Sequence, residues 1–331
     1  MRQIKKIRVL VVDDSLLFRE ALSAGIGQDP GIEVVGTAFD AFMARDKIIE
    51  LEPDVLTLDV EMPKMNGIEF LKRLMPQHPV AVVVVSAVSS NVFDAFEAGA
   101  VDFVTKPTAI RESFHSFINE LIVKIKIATT ARVAHMKKDA AATQFYPASK
   151  IETGSNIIAI GASTGGTDAI FQIIKDLPKE MPGIVVVQHM PPVFTKMYAD
   201  RLNHTCKMAV KEAENGDEII RGRVLIAPGD YQMEILKDKG KYYVKCYKGE
   251  KVSGHCPSVD VLFNSVAEYA GKNAIGVILT GMGSDGAKGL LNMRKKGLYT
   301  IGQDEKSCVI YGMPMVAFIV VQLQPKCLQK R

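Results

Sequence analysis

Cysteine is scarce and scattered in this chain. The five thiols, Cys206, Cys246, Cys256, Cys308 and Cys327, form no CxxC pair and no Cys/His cluster at zinc-like spacing. That excludes a disulfide scaffold and a zinc site, and leaves free thiols in a reducing cytosol. No apolar run approaches the roughly 18 residues of a membrane span. The N-terminus, MRQIKKIRVLVVDDS, sets two acids directly after IRVLVV and has no small-residue cleavage site, so it does not read as a secretory signal. The net charge of +4 is modest and is not gathered into a basic tract, so nucleic acid is not an expected partner. There is no internal repeat. The expectation is a cytoplasmic protein without membrane insertion.

What is present is a regular alternation. With 331 residues, 47% hydrophobic and 24% charged, the chain has room for about two domains. From Ile7 to about Lys126, strand-like runs (IRVLVV, EVVGTA, VLTLD, AVVVVSA, VDFVTK) alternate with amphipathic helical stretches such as SLLFREALSAGI. Strands alternating with helices imply a parallel sheet covered on both faces. The stretch 127–154 is small, polar and mildly charged, and Pro147 and Gly154 argue against a helix running through it. From Asn156 the rhythm restarts. The fold class is therefore α/β in both halves: a five-stranded, doubly wound parallel sheet over 5–126, a linker over 127–154, and a second doubly wound α/β domain over 155–325.

The first half carries an acidic device. Asp13 and Asp14 end the first strand, Asp59 the third, Ser86 the fourth and Lys106 the fifth. In an open parallel sheet the carboxyl ends of the strands converge on one crevice. Three carboxylates there suit a hard cation such as Mg²⁺. The cation and a lysine would neutralise a phosphoryl group carried on one carboxylate, and a serine hydroxyl could bond one of its oxygens. One aspartate alone would be a loop residue or a helix cap; five matched residues on successive strand ends are not. The pieces VVDDS, LDVEMPKMNG, VVVVSA and DFVTKP resemble response-regulator receiver domains. The resemblance implies Asp59 as phosphoacceptor, Asp13 and Asp14 as its companion metal ligands, Ser86 and Lys106 as switch residues and Phe103 as a switching aromatic. The Ser86–Gly99 segment is shorter than usual for that family, which points to a truncated fourth helix.

The second half carries a serine on a sharp turn. In IIAIGASTGG, Ser163 lies between a buried strand and a helix whose first N–H groups attract developing negative charge. A base is needed. His189 directly follows the strand GIVVVQ; His255, in GHCPS before a helix, is the second candidate. Asp285, in a glycine-rich loop after AIGVILTG, can orient an imidazole. GASTG also matches the elbow of α/β-hydrolases, but their chain order is serine, acid, histidine, and here His189 precedes Asp285. A phosphate-binding loop is a weaker match still, because the GxGxxG spacing and the Lys-Ser/Thr ending are missing.

The motifs GASTGG, VVVQHMPPVFT, VLIAPGDYQ, GHCPSVDVLF, ILTGMGSDGAKGL and QDEKSCVIYGMP, following a receiver, resemble the CheB family of chemotaxis protein-glutamate methylesterases. The resemblance implies a Ser163, His189, Asp285 triad, with Thr164 and His255 lining the site and the Met282 N–H as an oxyanion donor. It implies hydrolysis of glutamyl methyl esters on chemoreceptors and, as in many members of the family, deamidation of receptor glutamines, with Mg²⁺ serving the receiver and no cofactor for the esterase. A chemotaxis histidine kinase is the implied phosphodonor and methylated chemoreceptors the implied substrate. Two other classes stay open on sequence: a phosphorylation-gated esterase or amidase outside motility, and a silent phospho-dependent binding module.

Overall fold

The computed structural model describes residues 5–87, 92–107, 110–132 and 157–321, without the side chains of 110–113. The chain divides into two compact units, Met1–Lys137 and Lys138–Arg331. Residues 133–154 of the expected linker lie outside the described residues. Among the described residues, no helix is long and apolar enough to cross a membrane.

In the first unit, β1 (Ile7–Val12), β2 (Ile32–Ala38), β3 (Val55–Leu58), β4 (Ala81–Ser86) and β5 (Asp102–Thr105) form one sheet in the order β2-β1-β3-β4-β5. Every pairing is parallel. β3 and β4 are buried along their whole length, as expected of strands covered on both faces. The helices are α1 (Leu16–Ile26), α2 (Ala41–Leu51), α3 (Gly67–Leu74), α4 (Val92–Glu97) and α5 (Ile110–Ala128). Ser15, Asp40 and Asn66 cap the first three by accepting from the N–H of Phe18, Met43 and Glu69. The described α4 has only six residues, and residues 88–91 before it lie outside the described residues. At Gly67 an added methyl would lie 2.3 Å from the Asp59 carbonyl oxygen, so glycine lets α3 begin against the end of β3.

In the second unit, β6 (Ile157–Ala162), β7 (Gly183–Gln188), β8 (Ala209–Glu212), β9 (Arg223–Ile226), β12 (Ala274–Ile278) and β13 (Tyr299–Gly302) form a parallel sheet ordered β13-β12-β6-β7-β9-β8. The hairpin β10 (Gln232–Asp238) and β11 (Lys241–Tyr247) stands apart from it. Its turn places Lys239 and Gly240 at positive φ, as a tight two-residue turn requires. The helices are α6 (Gly166–Ile174), α7 (Phe194–Thr205), α8 (Val259–Tyr269), α9 (Ala287–Lys295) and α10 (Met313–Val321). β8 was not foreseen. It is a four-residue edge strand, half-exposed and carrying Lys211 and Glu212, so it lacks the apolar run that marks its neighbours.

The core of this unit is built around α8. Val259, Leu262, Phe263 and Val266 are fully buried and follow helical i, i+3, i+4, i+7 spacing. β6 approaches the start of α8 so closely that a methyl on Gly161 would lie 2.1 Å from Val259 Cγ1. Gly161→Ala should therefore cost about 1–3 kcal/mol of overpacking, read as a lower urea midpoint for unfolding of the second unit. An unchanged midpoint would mean that α8 can withdraw freely.

Candidate active site

Two strand-end sites exist, one in each unit. In the first, the reversal of strand order falls between β1 and β3, the usual ligand crevice of such sheets. Asp13 directly follows β1 and Asp59 follows β3, and the Asp59 N–H donates to the Val12 carbonyl at 2.9 Å. Both carboxylates are buried, whereas Asp14 is exposed. Oxygens of Asp13, Asp14 and Asp59 lie within 4.8 Å of one another. The Lys106 Nζ reaches Asp59 Oδ2 at 2.6 Å and Asp13 Oδ2 at 2.9 Å. It also lies 4.8 Å from the centre of the Phe18 ring.

One ammonium against three carboxylates leaves two negative charges in this cluster. A divalent cation held by oxygen ligands fits both the charge and the donor set. Burial pushes the Asp59 carboxyl above its ordinary value, and Asp13 adds to this against the pull of Lys106. Burial draws the Lys106 ammonium down, but Asp13 and Asp59 outweigh it and hold its pKa above the ordinary lysine value. Ser86, the last residue of β4, is buried and its hydroxyl donates to the Ala87 carbonyl. Phe103 lies in β5, packed edge-on against Phe96 at 5.8 Å.

In the second unit the order reverses at β6, between β12 and β7. Ser163, His189 and Asp285 follow these three neighbouring strands. Ala162 pairs with Gln188, and the His189 N–H donates to the Ala162 carbonyl at 3.1 Å, so Ser163 and His189 stand on adjacent strand ends. The Ser163 N–H donates to the Thr280 carbonyl at 3.0 Å, and the Ser163 carbonyl accepts from the Gly166 N–H at 2.7 Å. Gly165 takes a φ of +77° at the start of α6, the left-handed conformation that favours glycine. This is the sharp strand-to-helix turn expected of IIAIGASTGG.

His189 Nε2 lies 2.8 Å from Asp285 Oδ2, with the two side chains 7% and 1% exposed. His189 Nδ1 is buried and has no hydrogen-bond partner among the described residues. Asp285 Oδ2 also accepts from the Val259 N–H at 2.7 Å. Its Oδ1 accepts from the Ser258 hydroxyl at 2.8 Å and the Asp260 N–H at 3.0 Å. Burial alone would raise the Asp285 carboxyl; the His189 bond and the backbone donors outweigh it, and its pKa lies below the ordinary carboxylate value. Asp260 moves the other way, raised by burial and then by the nearby Asp285 charge, despite the Gly289 N–H.

His255 does not compete with His189 for Asp285. Its ring stacks on the His189 ring, with centroids 3.6 Å apart and planes 9° apart. Thr164 is buried, and its carbonyl accepts from the Thr280 hydroxyl at 3.0 Å. Met282 is exposed and follows Gly281, where a methyl would lie 2.6 Å from Ser163 Cβ. The residues singled out in the second half therefore gather at one crevice. Three groups were missed. Gln188 donates to both the Ser163 and His189 carbonyls, at 2.8 and 3.2 Å. Gln232 and Ser258 support His255 and Asp285 from behind. Only position could have flagged them: Gln188 precedes His189, and Ser258 stands at a helix start.

A response-regulator receiver domain model matches residues 9–117, and the CheB methylesterase model matches residues 158–329. The chain belongs to the CheB methylesterase family. A similar family member, protein-glutamate methylesterase/protein-glutamine glutaminase 2 of Syntrophomonas wolfei subsp. wolfei, is 60% identical over 96% of this chain and 92% of its own length. Protein-glutamate methylesterase/protein-glutamine glutaminases of Syntrophotalea carbinolica and Sulfurimonas denitrificans are 54% and 52% identical, over 95% and 94% of this chain and 92% of each relative. The CheB resemblance expected from the motifs thus holds along nearly the whole chain.

The raised Asp59 carboxyl gives a test of the receiver cluster in this CheB chain. A carboxyl raised on folding costs stability when ionised, and that cost fades as pH falls through its pKa. Asp59→Asn should therefore raise the receiver Tm at pH 7 by a few degrees, with the gain shrinking in acid. Calorimetry without added metal is the measurement; an unchanged or lower Tm at pH 7 would mean that the Lys106 pair dominates.

Proposed function

We propose that this chain hydrolyses glutamyl methyl esters on chemoreceptors, and deamidates receptor glutamines, under control of phosphorylation at Asp59. The supporting observation is the buried His189–Asp285 pair, 2.8 Å apart, on strand ends flanking the turn that carries Ser163. In this reading, residues 5–126 are the receiver, 127–154 the linker and 155–325 the catalytic domain, working in the cytoplasm. The names of the relatives support both activities. An intact pair with an ionised acid argues against a silent binding module.

Asp285 holds the imidazole through Nε2, so Nδ1 is the nitrogen that takes the Ser163 proton. The Ser163 oxygen attacks the ester carbonyl carbon. Backbone N–H groups near Thr164 and Met282 receive the oxyanion, where fixed donors lower the barrier. The imidazolium returns the proton to the leaving oxygen, methanol departs, and a glutamyl ester of Ser163 remains. Water, deprotonated by the same histidine, attacks that ester, and the imidazolium returns the proton to the Ser163 oxygen as the bond breaks, freeing the glutamate and restoring the serine. An amide substrate follows the same path and releases ammonia.

In the receiver, Asp13, Asp14 and Asp59 would hold Mg²⁺, which supplies positive charge for the incoming phosphoryl group. A chemotaxis histidine kinase is the proposed donor. Lys106 steadies the charge on Asp59, and Ser86 and Phe103 are the proposed switch residues that respond to it.

The test is methanol release from methylated receptor membranes with and without a small-molecule phosphodonor and Mg²⁺. Ser163→Ala should lose turnover on the order of 10⁶-fold. The phosphodonor should raise the rate of the unaltered chain roughly 5- to 150-fold, and Asp59→Asn should remove that rise. Methanol release by Ser163→Ala at the normal rate would overturn the assignment.

A further inference from the structure

The start of α8 departs from ordinary helix chemistry. Ser258 occupies the N-cap position, where a serine hydroxyl usually accepts from an N–H of the first turn. Here it makes no such cap bond. It donates its hydroxyl to Asp285 Oδ1 at 2.8 Å instead. The Asp285 carboxylate, from a different loop, takes the N–H groups of Val259 and Asp260, at 2.7 and 3.0 Å. Asp285 is thus both the partner of His189 and the cap of α8. Ser258 is wholly buried, and its own N–H is separately held by Gln232 Oε1 at 2.9 Å.

We propose that Ser258 is a positioning residue for the esterase: its hydroxyl fixes the Asp285 carboxylate so that Oδ2 faces His189 Nε2. The proposal rests on the triad reading above. Two donors on Oδ1 and one backbone donor on Oδ2 leave the carboxylate a single orientation toward the imidazole. These donors also share its negative charge, and so moderate its pull on the imidazolium proton. The titratable groups facing this pair are His255, stacked on the His189 ring, and Asp260, which lies behind Asp285 and is itself bonded to the Ser253 hydroxyl and the Gly289 N–H. Neither bonds to the Ser258 hydroxyl, so its removal acts on Asp285.

The experiment compares the full-length chain with its Ser258→Ala and Ser258→Thr variants. Methanol release is followed across pH with the phosphodonor present, together with the Tm of each protein. In Ser258→Ala, kcat should fall about tenfold, the loss expected for a hydrogen bond to a charged group. The acidic limb of kcat/KM should move up by about half a pH unit, because the less shared carboxylate favours the imidazolium. The Tm should fall by only a few degrees, since a buried bond to Asp285 is lost while Asp285 still caps α8 through the Val259 and Asp260 N–H groups. Ser258→Thr, which keeps the hydroxyl, should restore the limb. A folded Ser258→Ala variant with unaltered kcat and acidic limb overturns the proposal. So does a lowered Tm with an unmoved limb, which marks a purely structural role. If the unaltered chain itself releases no methanol, the triad reading fails instead, and the two failures are distinguishable.

Discussion

The proposed chemistry of the second unit depends on one buried carboxylate remaining charged. Asp285 is 2% exposed, and an ionised carboxyl with no partners at that depth would take up a proton. It keeps its charge because four donors converge on it: the His189 ring, the Ser258 hydroxyl and two N–H groups at the start of α8. The positive end of the helix dipole adds to them. The packing of α8 is therefore also electrostatic machinery. Val259, Leu262, Phe263 and Val266 bury the helix in the core and fix where its N-terminus points. Glycine at 161 gives β6 room to lie against that end.

The two units use one topological principle for two chemistries. Each is a parallel sheet whose strand order reverses once, and each collects its candidate functional side chains at the carboxyl ends beside that reversal. Backbone pairing brings distant segments together before any side-chain contact is considered. Asp13 and Asp59 follow adjacent strands of the first sheet, as Ser163, His189 and Asp285 follow three adjacent strands of the second. Ser163 and Asp285, 122 positions apart in the chain, are brought near each other by the pairing of β6 with β12.

This is why so much could be read from sequence. Apolar runs mark buried parallel strands, and a reactive residue type directly after such a run stands in the crevice. Ser163, His189, Asp13 and Asp59 all carry that mark, and Asp285 lies a short glycine-rich loop beyond β12. What was illegible lacks it. β8 is a polar edge strand. The stacking of His255 on His189 depends on how the loop after β11 returns over the site, held by Gln232 through the His255 carbonyl at 3.3 Å. Gln188 and Ser258 reach Ser163 and Asp285 through hydrogen bonds that span 25 and 27 residues, distances that no local pattern records.

Asp59 and Asp285 show what the surrounding donors decide. Both are almost fully buried, at 3% and 2% exposure, yet their carboxyls move in opposite directions. Asp285 has four donors. Asp59 has the Glu61 N–H at 3.1 Å and an ammonium shared with Asp13. The first arrangement satisfies the negative charge and suits the role proposed for Asp285, holding the His189 imidazole still. The second leaves the charge under-compensated, so an arriving cation or a covalent change at Asp59 alters the balance of the cluster directly. Equal burial thus yields a fixed electrostatic support in one unit and a responsive site in the other. The difference lies in the number of donors aimed at each carboxylate.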